Sequence, residues 1–145
     1  MRLNKANDIR IIHMELEGSA ALLVQLDEEF CYDPNKVLGK GGFGCVYAGL
    51  KNSRYPVAVK HILKSVVSLK ELQQLKREIE TMRRIDHKNV LKLIHHLDIP
   101  NPTTGRKELY VITELCTGGN LAELIESYRS TDRRFSELTV LRFLE

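Results

Sequence analysis

The chain has 145 residues, of which 43% are hydrophobic and 28% charged, and its formal net charge is +3. This length allows one domain with a core of moderate size, and so small and dispersed a charge does not favour nucleic acid as a partner. The sequence shows no signal peptide and no apolar run long enough to cross a bilayer, so we expect a cytoplasmic protein without a membrane partner. Its three cysteines lack paired spacing, which argues against a disulfide framework or a zinc site and favours a reducing compartment.

Residues 1–31 form an N-terminal extension of unknown role. Two strands are indicated, one by Ile9, Ile11 and Met14 and the other by Leu22, Val24 and Leu26. The extension is the end of a preceding domain, a tail, or an extra strand on the sheet that follows, and the sequence does not separate these alternatives. Residues 32–36, Tyr-Asp-Pro-Asn-Lys, are typical of a turn, so we place the start of the main domain near Tyr32.

Residues 37–60 carry the most informative pattern in the chain. Gly39, Gly41 and Gly44 have the G-x-G-x-x-G spacing of a phosphate-binding loop, and Val46 and Lys60 follow them. Glycine lets a backbone approach phosphates closely, and a lysine neutralises the charge that backbone amides only partly offset. The combination predicts a site for a nucleoside triphosphate; the alternative is a glycine-rich hairpin with a solvated lysine.

Two other folds with glycine loops do not fit. In the dinucleotide-binding fold the loop opens a helix, and an acid about 20 residues later holds the ribose. Here residues 45–48, Cys-Val-Tyr-Ala, are typical of a strand, and no Asp or Glu lies between Gly39 and Lys70. The Gly-Lys-Ser/Thr of a P-loop is also missing. The pattern therefore predicts a strand, a glycine turn, a second strand, a turn at 51–54 and a third strand at 57–60.

Residues 68–85 form the clearest predicted helix. An apolar stripe at helical spacing is made by Leu72, Leu75, Ile79 and Met82. Ser68 and Glu71 have the spacing of a capping box, which fixes the start of the helix. Glu78 lies on the stripe side, and an inward-facing acid needs a partner, for which Lys60 is the natural candidate. The alternative is a surface Glu78 that interacts only with neighbours one helical turn away.

The rest of the chain alternates between turns, strands and capped helices. We expect a turn at 87–89, a strand at 90–97, a loop at 100–105 and a strand at 109–113. His95 and His96 are adjacent on a strand and point to opposite faces, so they do not chelate one metal. Asn120 and Ser136 each have the position of a helix N-cap. The two helices carry Leu121, Leu124, Ile125 and Tyr128, and Leu138, Leu141 and Leu144, respectively.

Residues 32–145 resemble the eukaryotic protein kinase domain. The resemblance rests on the glycine loop with Val46, on Lys60 at the end of its strand, on the helix with Glu78, and on residues 114–121, Glu-Leu-Cys-Thr-Gly-Gly-Asn-Leu, which are similar to the kinase hinge. It implies an α+β fold in which an antiparallel sheet and one αC-type helix form the small lobe, residues 32–113. A hinge, 114–120, and the first helices of the large lobe, 121–145, would follow.

The same resemblance implies an ATP site and a role for each of its residues. The flap over the phosphates would comprise Gly39, Lys40, Gly41, Gly42, Phe43 and Gly44, and Lys60, held by Glu78, would bind the α- and β-phosphates. Around the adenine ring, the implied residues are Leu38, Val46 and Ala58 as a sandwich, Thr113 as the guard of the pocket behind it, and the backbone of Glu114 and Cys116 at its edge.

The kinase segments that would complete the site are not among these residues. The catalytic loop, His-Arg-Asp, and the magnesium-binding Asp-Phe-Gly occur nowhere in the 145 residues. We therefore expect the chain to be part of a longer serine/threonine kinase that phosphorylates protein substrates, with Mg²⁺ bound only in the full domain and with no activity from this chain alone. The alternatives are a non-catalytic interaction module and an ATP-binding protein of other chemistry.

Overall fold

The computed structural model describes residues 10–16, 18–101 and 103–144. Within these ranges the strands are β1 Arg10–Leu16, β2 Ser19–Gln25, β3 Phe30–Gly41, β4 Gly44–Lys51, β5 Tyr55–Ile62, β6 Leu93–Pro100 and β7 Lys107–Glu114. They form one antiparallel sheet in the order β1-β2-β3-β4-β5-β7-β6. Helix α1, Leu69–Arg84, connects β5 to β6, and helices α2, Leu121–Ser130, and α3, Glu137–Leu144, follow β7. The predicted α+β class is confirmed.

The N-terminal extension adds strands to this sheet, which is the third of the alternatives that the sequence left open. β1 pairs with β2 along its whole length, and β2 pairs with β3 through Val24 opposite Tyr32 and Gln25 opposite Cys31. Leu23 and Leu26 are buried. The predicted strands at Ile11 and Met14 and at Leu22 and Val24 are confirmed, whereas Ile9 lies outside the described residues.

The turn predicted at residues 32–36 is wrong as a chain reversal, because β3 continues through it. Tyr32 pairs with Gly49 and Val37 with Tyr47, so β3 carries extra residues in an irregular bulge. Inside the bulge, the Asp33 carboxylate accepts a hydrogen bond of 2.9 Å from the Asn35 amide. The local turn preference of these residues is therefore expressed within the strand, whose two ends are held by β4.

The loop before β6 shifts a predicted strand from residues 90–97 to Leu93–Pro100. β6 begins at Leu93 rather than at residue 90, because the turn that His87 starts extends to Val90, whose amide donates to the His87 carbonyl at 3.1 Å. The predicted turn at 87–89 is confirmed, and so is the turn between β4 and β5, where the Arg54 amide donates to the Lys51 carbonyl at 3.1 Å. The boundary of β6 moved because a local backbone hydrogen bond competes with strand pairing.

One face of the sheet, here called the inner face, holds the larger hydrophobic cluster. Its buried members are Leu26, Phe30, Tyr32, Val57, Val59, Ile99, Tyr110 and Ile112. The Phe30 ring stacks on His95 of β6 with ring centroids 5.7 Å apart, so the start of β3 meets the last strand of the sheet. The sheet is therefore curled around this face, since three other strands lie between β3 and β6 in its order.

Helix α1 packs on the opposite face of the sheet. Ile79 of the helix contacts a buried cluster that contains Ile62, Leu109 and Val111. The predicted capping box is confirmed: the Glu71 amide donates to the Ser68 hydroxyl at 3.3 Å, and the Ser68 amide donates to the Glu71 carboxylate at 2.9 Å. The helix thus starts where its sequence indicates and is oriented by Ile79.

Residues 116–145 form a second compact unit in the chain. The Asn120 side chain caps α2 by accepting from the Glu123 amide at 2.8 Å, and the Ser136 hydroxyl caps α3 by accepting from the Thr139 amide at 3.2 Å. Both predicted caps are confirmed. The rings of Tyr128 and Phe135 stack at 4.3 Å within the unit. In neither helix is a described residue buried, and across the described ranges no helix is long and apolar enough to span a membrane.

Candidate nucleotide site

Strand register brings four of the predicted site residues onto one face of the sheet. Val46 of β4 lies opposite Lys60 of β5, and Ala58 of β5 lies opposite Thr113 of β7. Directly opposed residues point the same way and side chains alternate along a strand, so Val46, Ala58, Lys60 and Thr113 share a face. We call it the lysine face. Helix α1 packs on this face, because Ile62 follows Lys60 by two positions and contacts Ile79.

Lys60 is half-buried on β5, an interior strand of the sheet. In the part of the chain that the structure describes, its ammonium group has no hydrogen bond or ion pair. The next residue, His61, faces the other way, where its Nε2 lies 2.5 Å from the Glu108 carboxylate and its ring stacks on Tyr110 at 4.5 Å. Two adjacent basic side chains therefore differ in kind: one is satisfied by the protein, and the other is open to a ligand.

The glycine flap is the hairpin between β3 and β4. Gly41 pairs with Gly44, and Gly42 and Phe43 form the turn between them. The Leu63 amide donates to the Phe43 carbonyl at 3.2 Å, which ties the tip of the flap to the end of β5. Leu38, Lys40 and Phe43 are exposed on the flap.

The fold requires glycine at one position of the flap but not at three others. Gly44 has φ of +156°, and a Cβ there would lie 1.9 Å from the backbone oxygen of His61, so the fold itself requires glycine. At Gly39, Gly41 and Gly42 a Cβ would meet nothing within 4 Å. Packing within the described chain therefore does not explain these three glycines, and the open space beside them is what a closely approaching ligand would use.

Sequence reasoning missed one glycine that shapes this region. A Cβ on Gly49 of β4 would lie 2.7 Å from the Cys31 carbonyl oxygen and 2.7 Å from a Val59 methyl group. Gly49 is therefore needed for the close approach of β3 and β5 on either side of it. The signal in the sequence was a glycine inside a predicted strand, which marks a close backbone approach.

The structure does not bring Glu78 to Lys60. Glu78 is exposed, its carboxylate accepts a hydrogen bond of 3.1 Å from the Gln74 amide, and the described residues contain no ion pair between Glu78 and Lys60. The expectation that Glu78 faces inward is wrong for this structure. At 3.6 residues per turn, Glu78 lies roughly 80° from the centre of the apolar stripe, and Ile79 occupies the inward position instead.

Glu80 does not replace Glu78 at Lys60. Its carboxylate lies 3.0 Å from a guanidinium nitrogen of Arg84 and 3.3 Å from one of Arg83. The hydrogen bond from Arg84 and the charge of Arg83 lower the pKa of Glu80. Both glutamates are therefore held by residues of their own helix.

The end of β7 is fixed by the residue before β6. The Glu114 amide donates to the Lys92 carbonyl at 3.0 Å, and the Lys92 amide donates to the Glu114 carboxylate at 2.8 Å. The Thr113 hydroxyl donates to the Glu114 carbonyl at 3.2 Å, so the carbonyl predicted to bind adenine has an internal partner here. Cys116 is an exposed free thiol and belongs to the second compact unit.

Two cavities accompany this arrangement, and neither is lined by Val46 or Lys60. One of about 140 Å³ lies farther along the lysine face, where Ala48, Pro56 and Leu115 contribute to its wall. The other, of about 330 Å³, lies beyond the end of β5.

A glycine flap on an antiparallel sheet, with a lysine on the following strand and a helix packed behind it, is the arrangement of a small lobe of the kinase type. Residues 32–145 match the family model of the protein kinase domain. The match covers more than half of the chain, and the chain therefore belongs to the protein kinase family.

Curated relatives agree with this family. The chain is 35% identical over 99 residues to calcium-dependent protein kinase 3 of Plasmodium yoelii yoelii, a match that covers 68% of the chain and 17% of that protein. It is 31% identical over 115 residues to Aurora/IPL1-related protein kinase 2 of Caenorhabditis elegans, covering 78% and 34%. With the myoblast growth factor receptor egl-15 of the same organism it shares 39% identity over 103 residues, covering 68% and 9%. The chain thus spans a minor part of each of these proteins.

Proposed function

We propose that the lysine face binds ATP, and that the chain is the ATP-binding part of a cytoplasmic serine/threonine kinase that transfers the γ-phosphate to protein hydroxyl groups. The observation that carries the proposal is the strand register, which gathers Val46, Ala58, Lys60 and Thr113 beside the glycine flap. The same register leaves the Lys60 ammonium without a partner among the described residues. A half-buried cation without a counter-charge is suited to an anionic ligand.

Each part of the site has a distinct task in this proposal. Phosphate oxygens would supply the counter-charge of Lys60, and the flap backbone at Gly39, Gly41 and Gly42 would approach them through the open space beside these glycines. Leu38, Val46 and Ala58 would contact the adenine ring. Thr113 would limit the depth of its pocket, and the backbone groups of Glu114 and Cys116 would bind its edge.

The pairing of Lys60 with Glu78 belongs to the nucleotide-bound state in this proposal. Glu78 would exchange its hydrogen bond from Gln74 for an ion pair with Lys60, which would orient the ammonium toward the phosphates. The exchange requires a rotation or shift of α1, because Glu78 now lies at the flank of the apolar stripe.

The described residues do not fit a protein-held magnesium site. Among them, no group of three or more His, Cys, Asp or Glu side chains is placed to hold a metal ion. We therefore derive no step through Mg²⁺ for this chain. Orienting the acceptor hydroxyl is likewise assigned to family segments that residues 1–145 do not contain.

ATP binding tests the lysine face directly. We would titrate the protein with a fluorescent ATP analogue and compare Lys60→Met with Lys70→Met, a matched change at an exposed position on α1. Because a charged hydrogen-bonding partner of the phosphates is lost, Lys60→Met should weaken binding by at least about tenfold, and Lys70→Met should not. Equal binding by the two variants would refute the site. Absence of any ATP binding would favour the non-catalytic interaction module.

Phosphotransfer tests the wider proposal. A form of the protein that includes the His-Arg-Asp and Asp-Phe-Gly segments should lose transfer to serine and threonine on Lys60→Met while remaining folded, and Glu78→Gln should lower it. If Glu80→Gln abolished activity and Glu78→Gln had no effect, the assignment of Glu78 would be wrong. Residues 1–145 alone should transfer no radiolabel. Transfer that Lys60→Met abolishes would contradict the proposal that this chain binds ATP but needs the other kinase segments for phosphotransfer.

A further inference from the structure

A basic cavity lies at the end of the sheet farthest from Glu114. Its volume is about 330 Å³, and its lining residues are Lys64, Ser65, Thr104, Arg106, Lys107 and Glu108. The first two follow β5, and the others belong to the loop between β6 and β7 and to the start of β7. One edge of β5 pairs with β4, which carries the glycine flap, and the other edge pairs with β7, whose start lines the cavity. The basic cavity and the flap therefore lie on opposite sides of β5.

The charges of the basic cavity do not cancel. Lys64 pairs with Asp98 of β6, which neutralises it. The Glu108 carboxylate is bonded to its neighbours: it lies 2.5 Å from Nε2 of His61 and accepts from the Asn101 amide at 2.8 Å. Arg106 and Lys107 are exposed, and their side chains have no partner within the described ranges. The cations Lys64, Arg106 and Lys107 exceed the carboxylates Asp98 and Glu108 by one positive charge, and Arg106 and Lys107 are the cations without a partner.

Hydroxyl groups accompany these two cations. The Thr104 hydroxyl accepts from the Arg106 amide at 3.4 Å, which leaves its own hydrogen free to donate into the cavity. Ser65 contributes a second hydroxyl. An arginine fork, an ammonium group and two hydroxyl donors together match a tetrahedral oxyanion with several acceptor oxygens.

The described residues of the loop that carries Arg106, 101 and 103–106, are connected by their own hydrogen bonds. The Asn101 side chain accepts from the amides of Thr103 and Thr104 at 2.8 and 3.1 Å, and the Gly105 amide donates to the Asn101 carbonyl at 2.8 Å. Gly105 has φ of +66°, which glycine adopts without strain. A loop already held in shape loses less conformational entropy on binding.

We propose that the basic cavity binds a phosphorylated serine or threonine side chain of a peptide. Such a side chain carries a charge of about −1.5 to −2 at pH 7 and three strong acceptor oxygens, which complement Arg106, Lys107 and the hydroxyl groups. The cavity exceeds the need of a phosphate alone, since about 330 Å³ corresponds to about ten water molecules. The extra room accommodates the side chain that bears the phosphate. This site is independent of ATP binding at Lys60.

The test compares three ligands and uses the whole purified protein. The probes are a degenerate phosphothreonine peptide library, the same library with threonine, and inorganic phosphate, each titrated by isothermal calorimetry. We expect the phosphothreonine library to bind, the threonine library not to bind, and inorganic phosphate to bind more weakly than the phosphothreonine library.

Substitutions test whether the phosphothreonine library binds at the basic cavity. Arg106→Ala with Lys107→Ala should weaken binding of the phosphothreonine library by at least about tenfold, because two charged contacts are lost. Lys70→Ala with Lys76→Ala removes the same charge from exposed positions on α1 and should leave the affinity unchanged. Lys60→Met should also leave it unchanged, which separates this site from the nucleotide site.

Several results would overturn the inference. Binding that survives loss of Arg106 and Lys107, or that falls equally in the α1 control, would show that the basic cavity is not the site. No binding of the phosphothreonine library would refute the site itself. If inorganic phosphate bound as tightly as the library, the basic cavity would be a site for a free anion, and the proposal of a peptide ligand would be refuted.

Discussion

The two faces of the sheet differ in whether their polar side chains have partners within the described protein. The adjacent residues Lys60 and His61 show this difference. On the inner face, His61 is bonded to Glu108 and stacked on Tyr110. Burial, followed by the neighbouring Tyr32 and Glu108, raises the pKa of Tyr110. On the lysine face, Lys60 stands among small or half-buried residues without a partner in the described chain. A polar group satisfied by the protein contributes to structure, and one left open is available for function.

The largest effect should come from a matched truncation on the two faces. Val59 of the inner face is 0% exposed and packs in the larger cluster, whereas Val46 is half-buried on the lysine face. Val59→Ala should lower the free energy of unfolding by about 2–3 kcal/mol through a cavity in the core. Val46→Ala should cost less than about 1 kcal/mol and should weaken ATP binding instead. Urea denaturation and ATP titration measure the two effects; equal destabilisation would remove the distinction between the faces.

A second pair sharpens the comparison at the flap. Gly44→Ala places a methyl group 1.9 Å from the His61 oxygen and should destabilise the protein by about 2 kcal/mol, because β4 must move away from β5. Gly41→Ala meets no atom within 4 Å, so its stability should change by less than about 0.5 kcal/mol, while ATP affinity should fall. The prediction fails if Gly41→Ala leaves ATP binding intact in a folded protein.

A smaller effect is expected where α1 starts on the lysine face. Ser68→Ala removes the N-cap and should lower the free energy of unfolding by about 1 kcal/mol. Ser65→Ala, three residues earlier and outside the helix, is the matched control and should be nearly neutral for stability. A neutral Ser68→Ala in thermal denaturation would show that the packing of Ile79 alone holds the helix.

The smallest expected effect is the pH dependence of this cap. The hydrogen bonds from the Ser68 side chain and backbone lower the pKa of Glu71 from its ordinary value of 4.5. A lowered folded-state pKa contributes stability above the unfolded-state pKa, and this stability is lost as the pH falls through the folded-state value. Glu71→Gln should therefore flatten the loss of stability below about pH 4.5. Identical acid denaturation of the variant and the parent would contradict the contribution.

Local signals in the sequence predicted much of the fold. The caps at Ser68, Asn120 and Ser136 and the strands that flank the glycine turn follow from preferences that act over a few residues. The lysine face was also predictable in outline, because alternation along β5 fixes Ala58 and Lys60 on one side once the strand is recognised.

Tertiary structure alone decided which distant residues meet. The apolar stripe that contains Ile79 already indicated which side of α1 faces the sheet, but only the packing of the helix showed that Glu78, at the flank of the stripe, does not meet Lys60. Likewise, only strand pairing across the whole sheet shows that the N-terminal extension continues it and that Arg106 and Lys107 line a cavity with Lys64. The physical reason is that caps and turns depend on neighbours in the chain, whereas register, helix rotation and charge pairing depend on packing between residues far apart in it.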